Sequence, residues 1–172
     1  MKTRLIVGLI VALMLVVTMA VPAMAVEVGK GATVTVSEYI SFSVSDPGDA
    51  GLDFSSLNPG DTDEPEVAQT TEQGAVTLTV EAETNVDCNI EVKATDFTYS
   101  TYTIAISNAK YGITSVLGSA TAFVEADTYY TLDTSSAGTA KTVNVWHWLT
   151  IPSAQVAGSY SSTFTYQAVK TP

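Results

Sequence analysis

The chain has 172 residues, 18 acidic against 7 basic, for a net charge of −11, with one histidine and one cysteine. Such a balance excludes a phosphate-tracking groove, so nucleic acid is not an expected partner. The histidine and cysteine counts exclude an intrachain disulfide framework, a His-rich zinc site and a two-histidine metalloprotease motif.

At the N-terminus, Lys2 and Arg4 precede an apolar run from Leu5 to Val21, then Pro22 and Ala23-Met24-Ala25. Basic start, apolar stretch and small residues make a secretory signal peptide over 1–25, with a retained anchor as the alternative. No basic cluster follows to stop transfer and no cysteine stands at the cleavage point for a lipid. The mature product is expected outside the cell or on its surface, starting at Val26, with no membrane association after cleavage. It keeps 5 lysines, no arginine and all 18 acids, a net −13.

From Thr33 the pattern has period two, which predicts strands. Val34, Val36, Ile40, Phe42 and Val44 mark the apolar side of a first extended stretch. An acidic excursion over 46–66 follows, carrying two similar turns, Asp46-Pro47-Gly48-Asp49 and Asn58-Pro59-Gly60-Asp61. Pro fixes φ near −65° and Gly accepts positive φ, the two central requirements of a type II turn. Val76, Leu78, Val80 and Ala82 alternate with polar residues, and after Thr84-Asn85 the alternation resumes as Val86, Cys88, Ile90, Val92 and Ala94. These two runs read as a hairpin. Tyr102, Ile104 and Ile106 form another run, with weaker strands at 121–125 and 128–132. The last pair is Lys141 to Ile151 and Tyr160 to Val169, joined by 153–159. Many short strands without sustained helical periodicity predict one all-β domain over 26–172, an antiparallel immunoglobulin-like or jelly-roll-like β-sandwich.

Two constellations carry chemistry. Asp46, Asp49, Asp53, Asp61, Asp63, Glu64 and Glu66 offer hard oxygen donors on turns, the chemistry of a Ca2+ site, although their spacing is not that of an EF-hand. The other reading of these acids is a solvated edge that keeps sheets from associating. Trp146 and Trp148 share one face of a strand, either as a sugar-stacking pair or as core packing. His147 falls on the opposite face, in register with Val143, Val145 and Leu149, as a partly buried histidine with its hydrogen bonds satisfied. Cys88 lies in the apolar register of its strand and reads as an inert buried thiol.

Ala157-Gly158-Ser159-Tyr160 leading into Ser/Thr-rich alternation resembles the terminal hairpin of prokaryotic immunoglobulin-like surface domains. Tyr160 through Ala168 is also similar to the closing motif of WxL cell-wall-binding domains, with Phe164, Tyr166 and Ala168 in place of Leu, Trp and Leu. Phe54-Ser-Ser-Leu57-Asn-Pro59-Gly60-Asp61, followed by the run from Ala75 to Ala82, resembles the camelysin/TasA-like exported proteins. That resemblance implies filament subunits joined by an N-terminal strand of one copy completing the sheet of the next. Here Val26, Val28, Val34 and Val36 would supply that strand.

The expected role is therefore non-enzymatic: an extracellular structural or cell-surface protein that associates with itself or with other components of the cell envelope. The alternative is a carbohydrate- or cell-wall-binding module using Trp146 and Trp148 against a glycan.

Overall fold

A computed structural model describes residues 30–46 and 51–172. The signal peptide, Val26, Val28, Asp49 and the Pro47-Gly48 turn lie outside the described residues. Residues 37–172 form one compact unit, and 30–36 belong to a separate N-terminal unit. No helix among the described residues is long and apolar enough to cross a membrane.

The compact unit is an antiparallel β-sandwich, as the period-two pattern predicts. Its strands are β1 (Phe42–Ser45), β2 (Glu64–Pro65), β3 (Val76–Val80), β4 (Cys88–Ala94), β5 (Phe97–Tyr99), β6 (Tyr102–Ile104), β7 (Ala109–Gly112), β8 (Thr121–Ala122), β9 (Tyr130–Ser135), β10 (Lys141–Leu149) and β11 (Phe164–Lys170). One sheet has the order β1-β3-β10-β7-β8, with β2 also paired to β10. The other has the order β11-β4-β9, and β5-β6 is a separate hairpin.

The two hairpins read from the sequence are instead arches. β3 pairs with β1 and β10, whereas β4 pairs with β11 and β9 in the opposite sheet. Likewise β10 and β11 end in different sheets, so the terminal hairpin of the resemblance is not formed. The cause is the core. Val76, Leu78 and Val80 on one strand and Cys88, Ile90, Val92 and Ala94 on the other are all buried in one hydrophobic cluster. In an arch the chain crosses between layers, and the two apolar faces meet across the interior instead of lying side by side. At the crossing Thr84 is fully buried, its hydroxyl accepting the Ser41 N–H at 3.0 Å and donating to the Ser41 carbonyl at 3.3 Å.

β1 is shorter than the sequence stretch suggests. Residues 37–41 run beside 81–85, just past β3: the Glu81 N–H donates to the Ser41 carbonyl and the Asn85 N–H to the Tyr39 carbonyl, each at 3.0 Å, while Asn85 Oδ1 accepts the Tyr39 N–H at 2.7 Å and Asn85 Nδ2 donates to the Ser37 carbonyl at 2.8 Å. Asn85 thus does the work of a ladder partner where the chain turns away. Val34 and Val36 are 88% and 76% exposed.

β10 is the spine of its sheet. Its first half pairs with β3, from Lys141 opposite Val80 to Val145 opposite Val76, and its second half pairs with β7 and β2. Gly74, just before β3, passes so close to β10 that a Cβ there would stand 2.5 Å from the Val145 carbonyl oxygen. The core carries a row of aromatic rings in edge or tilted contact, running Phe54, Phe97, Phe164, Phe123 and Tyr111 at centroid spacings of 6.1, 6.0, 6.0 and 4.7 Å. Such pairs add to the burial of their area.

Candidate functional site

Between the layers, on the side of β1 and β11, the sandwich opens into a cleft of about 960 Å³. Its walls are two irregular segments, 51–59 ahead of β2 and 151–163 between β10 and β11. Phe54, Val76, Phe97, Ile104, Leu149 and Phe164 supply apolar lining, and Asp46, Asp53, Tyr160 and Tyr166 supply polar groups. Among the described residues, no lysine, arginine or histidine lines it. The volume is that of a typical ligand pocket.

Local chemistry explains why the first wall has a fixed shape. Pro59 and Gly60 form the expected turn: Gly60 has φ 97°, and the Asp61 N–H donates to the Asn58 carbonyl at 3.1 Å. Asp61 Oδ2 accepts the Asn58 N–H at 2.6 Å. Gly60 N–H donates to the Ile151 carbonyl and Ile151 N–H to the Asp61 carbonyl, at 2.9 and 2.8 Å, tying the first wall to the start of the second. The second wall is held by Tyr160, whose hydroxyl donates to the Val156 carbonyl at 2.8 Å and accepts from Gln155 Nε2 at 2.6 Å, while its ring packs on Tyr99.

The acids of the excursion do not converge. Asp53 Oδ1 accepts the Ser55 N–H at 2.7 Å, and Asp63 pairs with Lys110 at 2.8 Å. Glu64 lies in β2. Glu66, 3% exposed, accepts the N–H groups of Asp53, Ala68 and Gln69 at 3.2, 2.9 and 3.0 Å. Asp46 Oδ2 accepts the Gly51 N–H at 3.2 Å. Among the described residues, no three His, Cys, Asp or Glu side chains stand together as a metal-ion site. Asp46, Asp53, Asp61 and Glu66 organise nearby backbone, the usual work of carboxylates beside Gly- and Pro-rich turns.

Trp146 and Trp148 are not displayed either. They are 6% and 5% exposed, and Trp146 Nε1 donates to the Thr70 carbonyl at 2.6 Å. They point away from the main core, as the strand register requires, but Gln69, Thr70 and Thr71 border a small depression beside them. His147 N–H donates to Gln69 Oε1 at 2.8 Å, and its carbonyl accepts from Glu66, so the 66–73 segment runs over the outer face of β10. A tryptophan pair for stacking on sugar is thus covered by its own chain. The Gly112 position leaves room for the Trp148 ring, which would stand 3.4 Å from a Cβ there.

His147 is fully buried, with Nε2 2.8 Å from the Tyr166 hydroxyl and Nδ1 without a hydrogen-bond partner. Burial lowers its pKa to about 3, against a smaller raising pull from the Lys110 backbone, so the ring is neutral at physiological pH. Burial, and then the charges of Asp46 and Glu66, hold the Tyr166 hydroxyl well above its ordinary range. Tyr166 is where this buried pair reaches the cleft. Burial, followed by the Asp87 charge, also raises the Cys88 thiol, which is inaccessible in β4.

Sequence reasoning places Cys88 and the Asn58–Asp61 turn correctly and His147 on the right face, although the ring is fully buried with Nδ1 unpartnered, and it overlooks Tyr166 as a site residue. Its one visible signal is the β11 alternation Phe164, Tyr166, Ala168, which puts a phenol on an inward-facing row. No family model matches the chain. No curated protein matches it either.

Proposed function

We propose that the chain is a non-enzymatic structural protein of the cell exterior, a filament or matrix subunit in which the N-terminal arm of one copy adds as a strand to the next. The observation that carries this reading is the β1 edge. Among the described residues β1 ends its sheet with no strand on its outer side, and the cleft opens beside it, lined in part by Val44 and Asp46. A free edge is a template for another chain, and strand addition needs only unpaired backbone groups and room for alternate side chains. The arm is suited to it: Thr33-Val34-Thr35-Val36 alternates in the sense of a half-buried strand, yet both valines are exposed. The leader pattern of residues 1–25 supports a location outside the cytoplasm.

The experiment compares residues 26–172 with the same protein lacking 26–36, by light scattering after size exclusion and by negative-stain microscopy. Oligomers or filaments from the longer form alone are expected. Monomers from both at high concentration would remove the strand-addition reading.

A further inference from the structure

The cleft has an electrostatic character that apolar filling alone does not satisfy. Asp46 Oδ1 is buried and has no hydrogen-bond partner among the described residues. An unpaired buried carboxylate oxygen is costly, so a donor is wanted at that point.

Tyr166 adds a second acceptor. His147 is neutral, and the nitrogen not bonded to Tyr166 is Nδ1. Whichever of the two donates in the 2.8 Å bond between His147 Nε2 and the Tyr166 hydroxyl, the phenol oxygen keeps at least one lone pair. Glu66, buried close by with its oxygens occupied by backbone N–H groups, deepens the negative potential. With no basic side chain in the lining, the cleft disfavours anions. A site whose acceptors are a carboxylate and a phenol oxygen, with no three His, Cys, Asp or Glu side chains among the described residues gathered for a metal, fits an ammonium group.

The chain itself carries one suited to it. Lys93, Lys110 and Lys141 pair with Asp127, Asp63 and Asp133 at 3.5, 2.8 and 2.8 Å, and Lys170 pairs with Glu38. Lys30, exposed on the arm, has no ion pair among the described residues. In an extended strand, side chains two apart share a face, so Lys30, Ala32, Val34 and Val36 point the same way. One face of the arm thus carries a cation at one end and two valines at the other, matching a cleft with acceptors and an apolar floor.

We propose that the cleft is an ammonium site, occupied by Lys30 of a second copy, with its Nζ donating to Asp46 and Tyr166 while Val34 and Val36 cover the apolar lining. This rests on the strand-addition reading and supplies its register: charge placement fixes which residue of the arm meets which part of the cleft.

The test uses the full mature chain with Lys30→Glu, Asp46→Lys and both together. Each single change is expected to raise the concentration needed for assembly at least tenfold, and the double exchange to restore it. Because Asp46→Lys can disturb the fold, a second measurement titrates wild type and Asp46→Asn with a labelled peptide of residues 28–36, carrying either lysine or norleucine at position 30. The lysine peptide should bind wild type at least tenfold tighter at low salt, and Asp46→Asn should erase that preference. Equal binding of the two peptides to wild type overturns the ammonium site, as do single variants that assemble like wild type. If deletion of 26–36 abolishes assembly while these charge changes leave it untouched, strand addition stands and this inference alone falls. If wild type never assembles, strand addition falls and the peptide preference alone decides whether the site exists.

Discussion

Replacing His147 by Gln isolates one proton. The native ring, wholly buried and with a pKa near 3, stays neutral under conditions where an unfolded histidine, near 6.5, takes a proton. Because the folded pKa is the lower one, stability is complete above 6.5 and declines as the pH falls toward 3. At pH 4.5 the unfolded chain holds this extra proton almost fully, which costs the native state about 2.7 kcal/mol, two pH units at about 1.4 each. Gln at 147 keeps an acceptor for the Tyr166 hydroxyl and cannot be protonated. Urea unfolding followed by tryptophan fluorescence at pH 7.5 and 4.5 measures the effect, since Trp146 and Trp148 change from buried to exposed on unfolding. Carboxylate titrations contribute to both proteins and cancel in the comparison. The wild type should lose about 2.7 kcal/mol more than the variant between the two pH values, a difference of about 1.4 M in urea midpoint for m near 2 kcal/mol/M. Equal losses would refute the claim that His147 is held neutral in the interior.

Glu66→Ala should destabilise the fold by about 1–3 kcal/mol, because the N–H groups of Asp53, Ala68 and Gln69 lose their acceptor, and the change is read as a lower urea midpoint. Gly74→Ala should cost at least about 2 kcal/mol, since the added carbon meets the Val145 backbone rather than a side chain that can swing away. Thermal melting checks it, and an unchanged midpoint would show that β3 and β10 do not approach so closely. Cys88 should resist thiol reagents at pH 8 in the native protein and react only as fast as the chain opens, with full labelling in denaturant.

Much of the fold is legible in the alternation of apolar and polar residues, because Val76, Leu78 and Val80, and then Cys88, Ile90, Val92 and Ala94, mark which faces are inside. What alternation cannot convey is the neighbour. A hairpin and an arch carry the same pattern, and the choice at 82–87 rests on the partners that β10 and β11 bring from much later in the chain. The burial of Trp146 and Trp148 is hidden for the same reason: their face of β10 is covered by residues 69–71, a contact remote in sequence. The Asn58–Asp61 turn, by contrast, is determined by four consecutive residues, and its type is readable from Pro59 and Gly60 alone. The cleft falls at the far end of this scale. Its walls come from 51–59 and 151–163, and the phenol at its base is positioned by a histidine on another sheet.

The place of β10 in the chain has a consequence for how the protein is made. Residues 141–149 are the shared partner of β3, β2 and β7, all of which are synthesised earlier. Until they emerge, Val76, Leu78 and Val80 lack the strand that completes their sheet, and the early chain is a soluble-looking polymer with sticky alternating segments. Pairings that reach so far along the sequence slow folding by their loop-closure entropy. The waiting interval, rather than the finished sandwich, is then when the molecule is most exposed to premature association, and a synthetic pause or truncation just before Lys141 would be more damaging than one just after Leu149.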